Sequence, residues 1–159
     1  MVSIEYEIGE LLRRKGMMLG AVESATGGLI SHLVTNVPGS SVYFKGSVTS
    51  YSNQVKTGLI GVKRETLEKY GAVSPQVAEE MAEGGRRLLG VDICIADTGI
   101  AGSGGATPGK AVGLFYLGLA HADGVSSRRH EFHGSREENK RSAAEAALGW
   151  VKEWITGKS

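Results

Sequence analysis

Ser24 stands in the segment Glu23-Ser24-Ala25-Thr26-Gly27-Gly28, and a second polar cluster, Tyr51-Ser52-Asn53-Gln54-Val55-Lys56, follows soon after. A serine hydroxyl is a poor nucleophile until a base takes its proton. Lysine can serve as that base when burial lowers its pKa enough to leave it partly neutral near pH 7. Tyr51, five positions before Lys56, can relay the proton or hold the lysine. The turn after Ser24 can aim backbone N–H groups at a developing oxyanion. The chemistry these residues suggest is hydrolysis that needs neither histidine nor metal. Each also has an ordinary reading: Ser24 as a helix N-cap, Lys56 as a solvated charge, Tyr51 as strand-end packing.

Other reactive groups are weaker candidates. His32 falls within a helical pattern, and His121, His130 and His133 lie on or beside late strands. The single cysteine, Cys94, sits in the apolar run Val91 to Ala96 and reads as a buried, inert thiol. Thr98-Gly99-Ile100-Ala101-Gly102-Ser103-Gly104-Gly105 lacks the Gly-Lys-Ser/Thr ending of a phosphate-binding P-loop. It still follows a strand, where open α/β sheets carry ligand loops, and its N–H groups can form a nest for an anion. Lys110 and Arg136 are candidate phosphate partners, Arg136 the better placed because it opens the last helix. No Gly-x-Gly-x-x-Gly follows the first strand, which argues against a dinucleotide oxidoreductase.

The elements that must position these groups follow from periodicity. Ile4, Ile8, Leu11 and Leu12 predict an amphipathic helix ending near Gly16, and Met17 to Val22 a buried strand. Leu29, Ile30, Leu33 and Val34 predict a helix stopping before Pro38, so Glu23 to Gly28 is a strand-to-helix turn. Val42 to Tyr51 reads as a strand, residues 52 to 60 and 63 to 70 as short helices or turns. Ser74-Pro75 reads as an N-cap with proline at the first helical position, opening a helix carrying Val77, Met81 and Leu88-Leu89. Val91 to Asp97 is a strand; Ala111 to Ala120 and Ser127 to Phe132 pair around a turn at Ala122-Asp123-Gly124. Glu137 to Ile155 closes as a helix with Ala143, Ala147, Leu148, Val151 and Ile155 inward. Strands alternating with helices predict a three-layer α/β/α sandwich whose mixed, mainly parallel sheet carries an antiparallel strand.

Composition narrows the function classes. The 159 residues suit one domain, with 41% hydrophobic and 22% charged residues. A net charge of +1 gives no field for nucleic acid or anionic membrane, and 6% aromatics give no base-stacking platform. The 24 glycines cluster at Gly27-Gly28, Gly84-Gly85 and Gly99 to Gly113, which predicts tight turns or backbone close to a ligand. No membrane span or signal-peptide pattern is visible, so the expected location is the cytoplasm, without cofactor or metal.

Taken together, these segments resemble the C-terminal domain of the competence/damage-inducible protein A family, whose stand-alone members include nicotinamide-nucleotide amidases. The resemblance runs from Ala21 to Leu148. It rests on Glu23 to Gly28, Gly46 with Tyr51-Ser52-Asn53 and Lys56, Gly71-Ala72-Val73-Ser74, Thr98 to Gly105, and Phe132-His133-Gly134-Ser135-Arg136. It implies hydrolysis of nicotinamide mononucleotide to nicotinate mononucleotide and ammonia, with Ser24 as nucleophile and Lys56 and Tyr51 as its partners. It also implies substrate contacts from Ala25, Thr26, Gly27, Asn53, Gly102, Gly104, Gly105 and Arg136, and a homo-oligomer, dimer or higher. Another nucleotide-like amide, or a non-catalytic nucleotide-binding or regulatory domain, is the alternative. Ala25 stands where the family commonly has cysteine, and Ser103 and Ala111 replace usual prolines, which removes backbone restraint near the substrate loop.

Overall fold

The computed structural model describes residues 1–158. Five strands, β1 (Leu19–Glu23), β2 (Phe44–Thr49), β3 (Ile93–Gly99), β4 (Leu114–His121) and β5 (Gly124–Glu131), form one sheet in the order β2-β1-β3-β4-β5. β1 pairs in parallel with β2 and β3; β4 pairs antiparallel with β3 and β5. β4 therefore runs alone against the other four strands, the mixed sheet predicted from the chain. The helices are α1 (Ile4–Lys15), α2 (Leu29–Thr35), α3 (Asn53–Val55), α4 (Arg64–Tyr70), α5 (Pro75–Leu89) and α6 (Arg136–Ile155).

Strict alternation along the central strands divides the core into two layers. Leu19 and Ala21 of β1 and Ile93 and Ile95 of β3 face α1, α2 and α6, meeting Ile8, Leu12, Ile30, Leu33, Ala147 and Leu148. Val22, Cys94 and Ala96 point the other way, toward Val77, Met81 and Ala82 of α5 and toward Ile60 and Val62. Cys94 is buried in that second layer, and its thiol is pushed up to about 12 by desolvation, as an inert core residue requires.

Two expectations are corrected here. Gly84 and Gly85 are neither turn nor ligand residues but lie inside α5. A side chain at Gly84 would stand 2.0 Å from the Ile60 carbonyl oxygen, and one at Gly85 would stand 2.2 Å from Val22. These glycines let α5 press onto the sheet and onto the segment that carries Lys56. The strand expected from Ala111 begins only at Leu114, after a turn in which the Leu114 N–H donates to the Ala111 carbonyl.

The predicted caps are in place. Gly16 ends α1 in the left-handed region, where glycine carries no Cβ penalty. Ser74 accepts from the Val77 N–H at the start of α5. Ser135 and Glu138, not singled out in the sequence as a cap, add a reciprocal capping box that fixes the entry of α6, and so the position of Arg136.

Candidate active site

The loops after β1, β2 and β3 leave the sheet at the same edge, the carboxyl ends of the parallel strands. β2 and β3 flank β1 on opposite sides, so the chain order reverses at β1, where doubly wound sheets open a crevice. Ser24 is the first residue beyond β1. Its side chain does not cap α2, whose N-cap is Gly28.

Lys56 reaches it from the loop after β2. Ser52 caps the short α3 by accepting from the Val55 N–H, and Lys56 then opens a single π-helical turn, Lys56–Ile60. Its side chain is only 1% exposed. Nζ lies 2.9 Å from Ser24 Oγ, 2.7 Å from the Ser50 carbonyl and 3.1 Å from the Tyr51 carbonyl. Burial holds the Lys56 pKa below the ordinary lysine value, with the Asp97 charge acting in the opposite sense.

The turn itself is braced by two buried carboxyls that sequence reasoning did not assign. Asp97, near the end of β3, accepts from the Ser24 N–H at 3.0 Å and the Thr26 N–H at 3.1 Å. Glu23 accepts from the N–H groups of Gly28, Ile30 and Ser31, and thereby takes up the start of α2. The Gly27 N–H donates to the Ser24 carbonyl. Among the described residues, Ala25 alone in this turn has an N–H without an acceptor. The expected row of oxyanion donors after Ser24 thus reduces to one, because the Asp97 and Glu23 carboxyl groups hold most of the others. An acidic residue ending the apolar run Ile93 to Ala96 was the available signal for Asp97.

Ser24, Ala25, Tyr51, Asn53, Lys56, Gly104, Gly105 and Arg136 line one cavity of about 290 Å³, with Ala72, Val73 and Thr98 to Ala101 completing its wall. Three further expected contacts differ. Thr26 is buried beneath the turn, its hydroxyl between Glu23 and Asp97. Gly27 faces a separate groove with His32 and Lys140. Gly102 contributes its carbonyl to Arg136, whose Nη1 donates to it at 2.5 Å. The Tyr51 phenol is exposed and 3.4 Å from Arg136 Nη2, so the tyrosine holds Lys56 through its main chain. Lys110 is spent on the Tyr70 carbonyl rather than on the cavity. Asn139 of α6, not singled out in the sequence, donates to the Ala101 carbonyl and ties the glycine-rich loop down.

A larger cavity of about 650 Å³ lies between α1 and the segment around Pro38 and Tyr43, but it contains no comparable nucleophile and base. The model of the CinA C-terminal domain matches residues 1–155.

The chain belongs to the CinA C-terminal domain family.

A CinA-like protein of Leptospira borgpetersenii is 48% identical over 89% of this chain, and one of Chlorobium phaeobacteroides 46% over 92%. The chain spans about a third of the length of the curated relatives it matches, 34% and 36% in these two. Among solved structures, the competence/damage inducible protein CihA of Agrobacterium tumefaciens is similar at a TM-score of 0.90 and 33% identity, over 96% of this chain and 93% of that one. A CinA superfamily protein of Klebsiella pneumoniae reaches 0.94 at 26% identity, over 97% and 96%. The CinA fold therefore extends over nearly all of this chain, and the Ser24 and Lys56 segments lie inside the matched region. No helix among the described residues is long and apolar enough to cross a membrane.

Proposed function

We propose that this CinA-type domain is an amidohydrolase that converts nicotinamide mononucleotide to nicotinate mononucleotide and ammonia through an acyl-enzyme on Ser24. The observation that carries the reading is the set of partners around Lys56 Nζ: one serine hydroxyl and two main-chain carbonyls. A neutral amine has two N–H bonds and one lone pair. The carbonyls of Ser50 and Tyr51 take the two hydrogens, which leaves the lone pair for the Ser24 O–H. Burial favours that neutral state.

In the proposed cycle Lys56 takes the Ser24 proton as Oγ bonds to the carboxamide carbon, and the displaced electron pair moves onto the carbonyl oxygen near the Ala25 N–H. When the tetrahedral intermediate collapses, the C–N bond breaks and Lys56 returns the proton to the leaving amide nitrogen as ammonia departs. Water then gives a proton to Lys56 and its hydroxide to the acyl carbon, and Oγ leaves with the proton from Lys56. The cationic pyridinium ring withdraws electrons from the carboxamide and disfavours a charged Lys56 beside it. Because the oxyanion donor is a backbone N–H, alanine at position 25 serves as well as a larger side chain. Arg136 and the N–H groups of Gly104 and Gly105 are suited to the substrate phosphate.

The test is ammonia release from nicotinamide mononucleotide by the purified domain. Turnover is expected from the unaltered protein and its loss from Ser24→Ala. Activity that survives Ser24→Ala would sink the mechanism, and an inert unaltered protein would sink the substrate assignment.

A further inference from the structure

Beneath Ser24 lies a chain of polar groups sealed from solvent. The Thr26 hydroxyl oxygen stands 2.5 Å from Asp97 Oδ1 and 2.7 Å from Glu23 Oε1. Glu23 and Asp97 are both 0% exposed and Thr26 is 1% exposed. A hydroxyl has one hydrogen, and ionised carboxylates only accept. Were both acids ionised, one of these two short contacts would set oxygen lone pairs against each other where no solvent reaches. The arrangement needs a second hydrogen.

The two acids differ in what else surrounds them. Glu23 accepts from the N–H groups of Gly28, Ile30 and Ser31 and from the Ser31 hydroxyl at 2.5 Å. Apart from the shared Thr26 hydroxyl, Asp97 accepts among the described residues only from the N–H groups of Ser24 and Thr26. Donors stabilise the charged form of a carboxyl, so the second hydrogen belongs on Asp97, the acid with fewer donors. We propose that the resting site keeps a proton on Asp97, which donates through Thr26 to Glu23, and that this placement leaves Lys56 neutral as a base. Asp97 is then a positioning residue: its acceptors hold the Ser24 turn while its own charge is suppressed.

The charged groups that face Asp97 are Glu23 at the end of β1 and Lys56 from the loop after β2; the neighbouring β4 presents Leu117 in register. Burial already pushes the Asp97 carboxyl up to about 6, and the Glu23 charge acts the same way. The Thr26 hydroxyl opposes that rise only while it donates to Asp97; turned toward Glu23, it does not. The Asp97 carboxylate is also the group that would raise the Lys56 pKa, an influence a protonated carboxyl lacks. The significance of the proton for catalysis rests on Lys56 being the base, but its location does not.

The chain has three aspartates, Asp92, Asp97 and Asp123, of which the first and last are exposed. Protein labelled with carbon-13 at the aspartate carboxyl therefore gives three carboxyl signals, and Asp92→Asn and Asp123→Asn assign the third by elimination without disturbing the core. With the Thr26 hydroxyl turned toward Glu23, the Asp97 signal is expected to keep the protonated position through pH 7, above the value of about 6 that applies while Thr26 donates to Asp97; all three signals at the carboxylate position at pH 7 would overturn the proposal, whether or not the protein turns over substrate. The functional arm is Thr26→Val, which removes the acceptor for the Asp97 proton. The rising limb of kcat/KM against pH should then move upward by on the order of one unit, and Thr26→Ser should restore it. A loss of rate with an unmoved limb would reduce Thr26 and Asp97 to a purely structural role and reject the link to Lys56.

Discussion

Two glycine-bearing loops meet at the cavity and use their main chain in opposite ways. In the turn after β1, the N–H groups of Ser24, Thr26, Gly27 and Gly28 are already engaged by Asp97, Ser24 and Glu23. In the loop after β3, the N–H groups of Ser103, Gly104, Gly105 and Ala106 have no acceptor among the described residues, and the loop is held from outside by Arg136 and Asn139. The first is a platform whose donors are committed to fixing one serine. The second keeps its donors for a ligand and relies on neighbours for shape. Glycine content alone does not separate these roles; the position of buried acceptors does. The platform should therefore govern kcat, and the loop should govern KM.

The largest effect is expected at Lys56. Lys56→Ala should lower kcat by on the order of 10^4-fold or more, the scale seen when a member of a nucleophile–base unit is removed. Lys56→Arg should not rescue it, because arginine stays charged and cannot accept the serine proton. In the unaltered domain kcat/KM should climb with pH as Lys56 loses its proton, with a midpoint below the ordinary 10.5 because burial depresses that pKa. The same shift has a stability consequence. The unfolded chain holds the Lys56 proton at pH values where the folded chain has released it, so the Lys56 contribution to stability rises toward pH 10.5. Thermal unfolding of the protein and of Lys56→Met across that window should converge as pH rises.

Arg136→Ala addresses the other loop. It removes the charge-assisted bond to the Gly102 carbonyl and the proposed phosphate contact, so KM should rise roughly 10- to 100-fold with kcat less affected. Steady-state kinetics in which kcat fell instead would break the division between platform and loop. Tyr51→Phe should matter least. The phenol is exposed, its one contact is long, and the carbonyl that holds Lys56 survives the change. A change of no more than a few-fold is expected; a loss as large as that of Lys56→Ala would restore the phenol to the chemistry.

Much of this protein was readable along the chain because the relevant signals are local. The spacing of Ile4, Ile8 and Leu12, the cap at Ser74-Pro75 and the turn at Asp123-Gly124 each specify an element with no reference to distant residues. The ordered motifs around Ser24, Lys56 and Arg136 were enough for the family resemblance. Thr26 and Gly27 could not be placed in that way. The same short segment can turn either face to the cavity, and a pair of buried carboxyls, one of them distant in the chain, decided which.

By itself, then, the sequence determined the alternation of strands and helices, the α/β class and the family to which the domain belongs. Only the tertiary structure decided that Lys56 meets Ser24 across 32 positions and that Asp97 meets Thr26 across 71. It alone set the Tyr51 carbonyl, and not the phenol, against Lys56 Nζ. Periodicity encodes which face of an element is apolar, because burial repeats along the chain. It does not encode which main-chain carbonyl or N–H a buried charge will find, because that depends on how three strand ends are aligned beside one another.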